Sequence, residues 1–147
     1  MGYIEELREV TGQRPLILVG SAVAVFNEKG ELLLQKRPDG QWGVPGGLME
    51  LGESAEDTAR REILEETGLE IGDLDLVTVL SGNEYFVHLP NGDQYYAVTV
   101  VYRTDDIKGG RLGPDGVESI DAKFFLLDEL PKKLTRIITS LIKKSWL

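Results

Sequence analysis

Between residues 16 and 26 the chain runs Leu-Ile-Leu-Val-Gly-Ser-Ala-Val-Ala-Val-Phe, and Leu32-Leu33-Leu34 follows the polar stretch Asn27-Glu28-Lys29-Gly30. Aliphatic and β-branched residues with period-two stretches, bounded by turn residues, are the mark of strands. The pattern predicts a strand over 16–26, a turn, and a second strand over 31–37, paired as a hairpin and closed by Pro38-Asp39-Gly40. Residues 74–80 and 123–127 also read as strands, and 94–104 as a longer one rich in Tyr, Val and Thr behind the turn Asn91-Gly92-Asp93. Helical spacing appears in three places. Ile4 and Leu7 among charged neighbours predict one or two turns over 3–10, ended by Gly12 and Pro15. Ser54, with Asp57 three residues on, opens a helix to Thr67, and Gly68 stands where a left-handed cap is usual. Leu134, Ile137, Ile138, Leu141 and Ile142 form one apolar stripe with Lys132, Lys133, Arg136, Lys143 and Lys144 off it, a core-facing helix rather than a membrane anchor. Pro45-Gly46-Gly47 reads as a loop. Strands with two main helices predict an α/β sandwich on a mixed sheet, as one domain over 1–147.

Composition narrows the chemistry. With 147 residues and no cysteine, the chain is long enough to bury a core without disulfides, and thiolate zinc sites and cysteine nucleophiles are excluded. The lone histidine, His88, rules out multi-histidine metal cages, and without a Gly-x-Ser-x-Gly elbow it makes a poor triad member. A net charge of −9 repels phosphate backbones, so bulk nucleic acid is not the expected partner. A phosphorylated substrate would need a divalent cation to reverse the local sign. No apolar run reaches a membrane span, and the first residues lack the basic start and apolar centre of a secretory signal. The expected location is cytoplasmic.

The acidic helix holds the most specific signal. With Glu62 at zero on a helical wheel, Glu65 falls near ~300° and Glu66 near ~40°, so three carboxylates share an arc of roughly 100°. Ala55 and Ala59 interleave with Glu66 on that face. Small residues there suit close packing against backbone and an oxygen-only cation site, the kind Mg²⁺ and Mn²⁺ prefer; a solvated acidic face is the plain alternative. Upstream, Gly46-Gly47 allows main chain to approach a metal or phosphate closely, although such pairs also serve as simple turns.

Gly47-x5-Glu53-x7-Arg61-Glu62-Ile63-x-Glu65-Glu66-x-Gly68-Leu69 resembles the Nudix box, the signature of the Nudix hydrolases, at every fixed and aliphatic position. A chance match is on the order of one in a billion at ordinary residue frequencies. Trp42-Gly43-Val44-Pro45-Gly46 and Leu130-Pro131 are similar to the family's habits as well. The resemblance implies the Nudix α/β/α sandwich and hydrolysis of a phosphoanhydride in a nucleoside diphosphate linked to another group, with Mg²⁺ or Mn²⁺. It implies Glu62, Glu65 and Glu66 as metal ligands with the Gly46 carbonyl, and Arg61 as a clamp on a neighbouring carboxylate. Glu53 would be a ligand through water or the orienting partner of Arg61. The base is either a helix glutamate or an outside carboxylate, for which Glu118 is the candidate and an exposed loop glutamate the alternative. Arg37 and the Gly46-Gly47 backbone are candidates for phosphate contact. Tyr85, Phe86, Tyr95 and Tyr96 form either a base-stacking platform or sheet packing, and Trp42 is read as a packing anchor. An ADP-ribose-like nucleoside diphosphate sugar is slightly favoured. The rivals are a sanitising pyrophosphohydrolase of oxidised nucleoside triphosphates and a non-catalytic nucleotide sensor. A homodimer is possible, with 94–104 as a candidate interface.

Overall fold

The computed structural model describes residues 2–147. Helix α1 (Tyr3–Thr11) precedes β1 (Leu16–Val25), β2 (Leu32–Lys36), β3 (Trp42–Gly43) and β4 (Gly46–Leu48). Helix α2 (Ala55–Thr67) follows, then β5 (Leu69–Ile71), β6 (Asp75–Leu80), a 3-10 turn (Asn83–Tyr85) and β7 (Phe86–His88). The chain continues through β8 (Gln94–Thr104), β9 (Ile107–Gly110) and β10 (Asp121–Phe125) to α3 (Arg136–Lys143). One sheet has the order β4-β1-β8-β6, with β7 also on β8; β1 and β8 run parallel and their other neighbours antiparallel. A second, antiparallel sheet has the order β10-β2-β3, and β5 pairs with β9. This is the expected α/β sandwich around a mixed sheet.

Alternation explains why β1 and β2 contain so few polar residues. Val23, Val25 and Leu33 pack with Ala59 and Ile63 of α2, whereas Ala22, Ala24, Phe26, Leu32 and Leu34 pack with Ile138 of α3. Each strand therefore lies between two layers. Fully burying one leucine contributes roughly 1.5–3 kcal/mol, so the triplet Leu32-Leu33-Leu34 is a principal anchor of both cores.

The hairpin expectation fails beyond its turn. Asn27 N–H donates to the Glu31 carbonyl at 3.1 Å, and the Asn27 side-chain oxygen accepts the N–H groups of Lys29 and Glu31, as the sequence indicates. Past the single bridge Phe26↔Leu32, however, the two strands enter different sheets. β4 and β8 fill both edges of β1, and β10 and β3 fill those of β2. Gly46-Gly47 is likewise strand, not loop: Gly46 pairs with Ala22 and Gly47 with Ser21. A side chain at Gly46 would strike the Ser21 carbonyl, so only glycine lets β4 lie this close to β1.

Both ends of α2 form as expected. Ser54 Oγ accepts the Asp57 N–H at 3.0 Å, Asp57 returns the bond to the Ser54 N–H, and Gly68 is left-handed with φ +80°. α3 is shorter than its stripe: Leu134 precedes it and Ile142 is largely exposed, leaving Ile138 and Leu141 as its buried residues. The last strand sits two residues early, at Asp121–Phe125, and Leu126 and Leu127 are exposed. The short strands β3, β5, β7 and β9 carry too few residues for a period to register. β8 lies inside its sheet, with β1 on one side and β6 and β7 on the other. Among the described residues no helix is long and apolar enough to cross a membrane.

Candidate active site

The capped start of α2 fixes its register, and that register delivers two different acidic environments. Glu53, just before the N-cap, faces Arg61 two turns on. Arg61 Nε donates to Glu53 Oε2 at 2.6 Å and its Nη2 to Glu53 Oε1 at 2.8 Å, a bidentate pair. Nη2 also donates to the Leu48 carbonyl at 3.1 Å, and Nη1 to Glu62 at 2.8 Å and Glu65 at 3.3 Å. The Glu50 N–H and the Thr58 hydroxyl complete the shell of Glu53. The Arg61 guanidinium, helped by these donors, lowers the Glu53 carboxyl to about 2, and its own proton is held more tightly in return.

Glu66 lies one turn further along and is buried. Its Oε2 accepts the Gly46 N–H at 3.0 Å and Gln35 Nε2–H at 3.3 Å. Both donors are neutral. Burial raises its proton affinity far above the ordinary carboxylate range, and the neighbouring Glu118 and Glu62 carboxyls push the same way. Glu62 is raised too, chiefly by burial, against the pull of Arg61. Its carboxylate lies against Gly47, where an added side chain would collide with it. Glu65 is the outlier, with its side chain 59% exposed and held only at its tip by Arg61.

Glu118 belongs to an exposed turn, yet that turn is tightly organised. Asp115 Oδ1 accepts the N–H groups of Val117, Glu118 and Ser119, at 2.9 to 3.0 Å, and Ser119 is buried. The Glu118 carboxyl faces the same cavity as Glu66 and raises the proton affinity of Glu66. Both glutamates line a cavity of about 550 Å³ that also touches Gln35, Arg37, Gly46, Gly47 and Tyr95. Arg37, Val44, Val87, Ala97, Thr99 and Ile137 continue into an adjoining cavity of about 670 Å³. This second space runs between β7, β8 and α3 and reaches Tyr85, Phe86, His88, Arg136 and Lys143.

The structure thus gathers Arg37, Gly46, Gly47, Glu66 and Glu118 on one cavity and groups Glu53, Glu62 and Glu65 around Arg61. The aromatic residues divide. Tyr95 lines the first cavity and Tyr85 and Phe86 the second, whereas Tyr96 packs on Phe86 with ring centroids 4.9 Å apart. Trp42 meets Phe125 edge-on at 5.1 Å and exchanges backbone bonds with Lys133 and Thr135, the anchoring role expected of it. Sequence reasoning passed over Gln35, Thr58 and Asp115. Only Gln35 left a trace, as one amide closing a run of leucines.

All candidate donors around Glu66 are oxygens, the set Mg²⁺ and Mn²⁺ favour. Among the described residues no three acidic or imidazole side chains already converge as a cage, because Glu62 turns to Arg61 and Glu65 to solvent. The residues still fit a divalent cation. Glu66 has only two neutral donors, and the Glu62 and Glu118 carboxyls both raise its proton affinity, so a cation would supply the counter-charge that no protein donor gives Glu66.

The NUDIX domain family model matches residues 17–144, and the chain belongs to that family. Among solved structures it is similar to a MutT NUDIX hydrolase from Burkholderia pseudomallei, with 31% identity, a TM-score of 0.70, and coverage of 86% of this chain and 96% of that one. A putative ADP-ribose pyrophosphatase YjhB of Bacillus subtilis is 33% identical over 108 residues, 74% of this chain and 50% of the relative. A putative 8-oxo-dGTP diphosphatase of the same organism is 56% identical over 50 residues, 33% of this chain and 34% of that protein. The chain thus spans half or less of the length of these two curated relatives. Nudix hydrolases generally need divalent cations.

Proposed function

We propose that the chain hydrolyses a phosphoanhydride in a nucleoside diphosphate linked to a second moiety, with an ADP-ribose-like nucleoside diphosphate sugar as the favoured substrate. The observation that carries this reading is the buried Glu66 carboxylate, crowded by Glu62 and Glu118 and given only neutral donors, at the head of a cavity with Arg37 on its wall. Glu62, Glu65, Glu66 and the Gly46 carbonyl would hold Mg²⁺ or Mn²⁺. When bound, the cation polarises phosphoryl oxygens and lowers the pKa of a coordinated water. Arg61 keeps Glu62 and Glu53 in place, and Arg37 takes a phosphate oxygen. Glu118, or one of the helix glutamates, accepts the proton as the water oxygen attacks phosphorus. The bridging P–O bond breaks, leaving a nucleoside monophosphate and a sugar phosphate.

The adjoining cavity supports a substrate with two moieties, because the space continues on the far side of Arg37 between β8 and α3. The chain is read as one Nudix domain acting in the cytoplasm, where a cysteine-free protein and a nucleotide substrate are at home. A second reading, a pyrophosphohydrolase of oxidised nucleoside triphosphates, draws on the 56% identical segment shared with the putative 8-oxo-dGTP diphosphatase. The deciding experiment incubates the protein and Mg²⁺ with nucleoside diphosphate sugars, dinucleoside polyphosphates and triphosphates, and reads products by mass. AMP with ribose 5-phosphate from ADP-ribose is the expected result. Turnover of triphosphates alone favours the second reading, and nucleotide binding without any product leaves only a sensor.

A further inference from the structure

Gln35 is out of character for its strand. Leu32, Leu33 and Leu34 are fully buried, and the next residue, itself 7% exposed, is an amide. Its Nε2 donates to Glu66 Oε2, the same oxygen that accepts the Gly46 N–H. Two donors on one oxygen fix the roll of the carboxylate about its own axis and leave Oε1 without a protein N–H. Gln35 Oε1, meanwhile, is buried with no partner. A half-satisfied buried amide is a poor way to fill a core, since an apolar side chain of similar length would occupy the space without an orphaned acceptor. The backbone does not explain it either. Gln35 is an ordinary ladder position, paired with Ala122 of β10 and Gly43 of β3, which holds its side chain at a fixed place in the cavity wall.

We infer that Gln35 is a positioning residue: with the Gly46 N–H, its amide holds one Glu66 oxygen and so fixes the orientation in which the other is presented to the divalent cation. The inference rests on the reading of Glu66 as a cation ligand. Groups that orient metal ligands typically change cation affinity or activity 10–100-fold when removed.

The test is Gln35→Met, which keeps length and burial and removes both the donor and the orphaned oxygen. Mn²⁺ binding to the substrate-free protein is followed by electron paramagnetic resonance, and folding by urea denaturation. The expected result is a loss of Mn²⁺ affinity of about 10-fold or more with a urea midpoint equal to or above the wild type. In ADP-ribose hydrolysis kcat should fall by a similar factor while KM holds. A purely structural amide predicts the reverse, a lower midpoint with unchanged Mn²⁺ affinity, and that result overturns the inference, as does a variant that fails to fold. Glu66→Gln separates the two levels of the argument. Mn²⁺ binding lost in Glu66→Gln but intact in Gln35→Met sinks only the role of Gln35; no Mn²⁺ binding by the wild type sinks the reading of Glu66 and this inference with it.

Discussion

Glu53 and Glu66 carry the same functional group, thirteen residues apart at the two ends of α2, and the fold treats them in opposite ways. Glu53 receives a bidentate guanidinium, a backbone N–H and a hydroxyl, and holds its proton weakly. Glu66 receives two neutral donors, is buried, and faces two other carboxyls, so it holds its proton strongly. The first arrangement is complete without a ligand. The second has no counter-charge of its own, and under the proposed function a divalent cation supplies it. The two ends of the helix thus combine an internally neutralised clamp with an uncompensated acid, the proposed cation ligand.

The sharpest way to break this comparison is to neutralise one member. Glu66→Gln keeps shape and burial and should reduce Mg²⁺-dependent turnover of ADP-ribose by at least ~100-fold, with the far-ultraviolet dichroism of the wild type. Full turnover in this variant would remove Glu66 from the chemistry.

On the clamp side the loss should appear in stability instead. Arg61→Met leaves Glu53 and Glu62 without their guanidinium and should cost about 2 kcal/mol in urea denaturation, the range for hydrogen bonds to charged groups. An unchanged midpoint would mean that the five Arg61 contacts add nothing to the fold. The pH dependence follows from the lowered proton affinity of Glu53. The folded carboxyl titrates at about 2 against an ordinary value of 4.5, so its stabilisation is complete above about 4.5 and disappears as pH falls toward 2. The stability gap between wild type and Glu53→Gln should therefore be constant from neutrality down to about pH 4.5 and close below it. A gap that closes near neutrality would contradict this assignment.

A smaller effect tests the seam between the two environments. An added methyl at Gly47 points into the Glu62 carboxylate, which Arg61 prevents from moving freely. Gly47→Ala should destabilise the protein by about 1 kcal/mol, at the low end for forced overpacking, and lower turnover several-fold. Wild-type kinetics would show that the position of Glu62 is not critical.

How much of this contrast could be read in advance depended on range. Ser54, Asp57 and Gly68 act within a few residues of themselves, so the ends of α2 were legible in the chain, whereas the common face expected of Glu62, Glu65 and Glu66 divides between Arg61, solvent and the cavity. Local pattern also found the strand that holds Leu32-Leu33-Leu34, though not its burial on two faces. It did not find the partners, because the choice between pairing β2 with β1 and pairing it with β10 is made by contacts some 90 residues away. Gly46 misled for a related reason. Glycine ordinarily interrupts strands, and here it permits one, since β1 approaches too closely for any side chain. Glu118 was reached only as a candidate, because the Asp115 turn that aims it has an ordinary loop sequence. Which glutamate would meet Arg61 and which would be left uncompensated depended on the packing of β4 against α2.

The smallest predicted effect is a control on whether α2 transmits changes along its length. Tyr102 Oη donates to Glu56 Oε1 at 2.6 Å in the first turn of the helix, on a surface that does not line either cavity. Burial of the ring and the Glu56 carboxylate raise the phenol to about 12, so it remains a donor throughout the working pH range. Tyr102→Phe removes one hydrogen bond to a solvent-facing carboxylate and should cost about 0.5–1 kcal/mol, with kcat and KM for ADP-ribose unchanged. The Ser54 capping box and the Arg61 clamp fix the helix independently of Tyr102, so the lost bond has no route to Glu66. A tenfold change in kcat would show that the helix shifts as one body, and the two acidic environments would then have to be treated as a single coupled site.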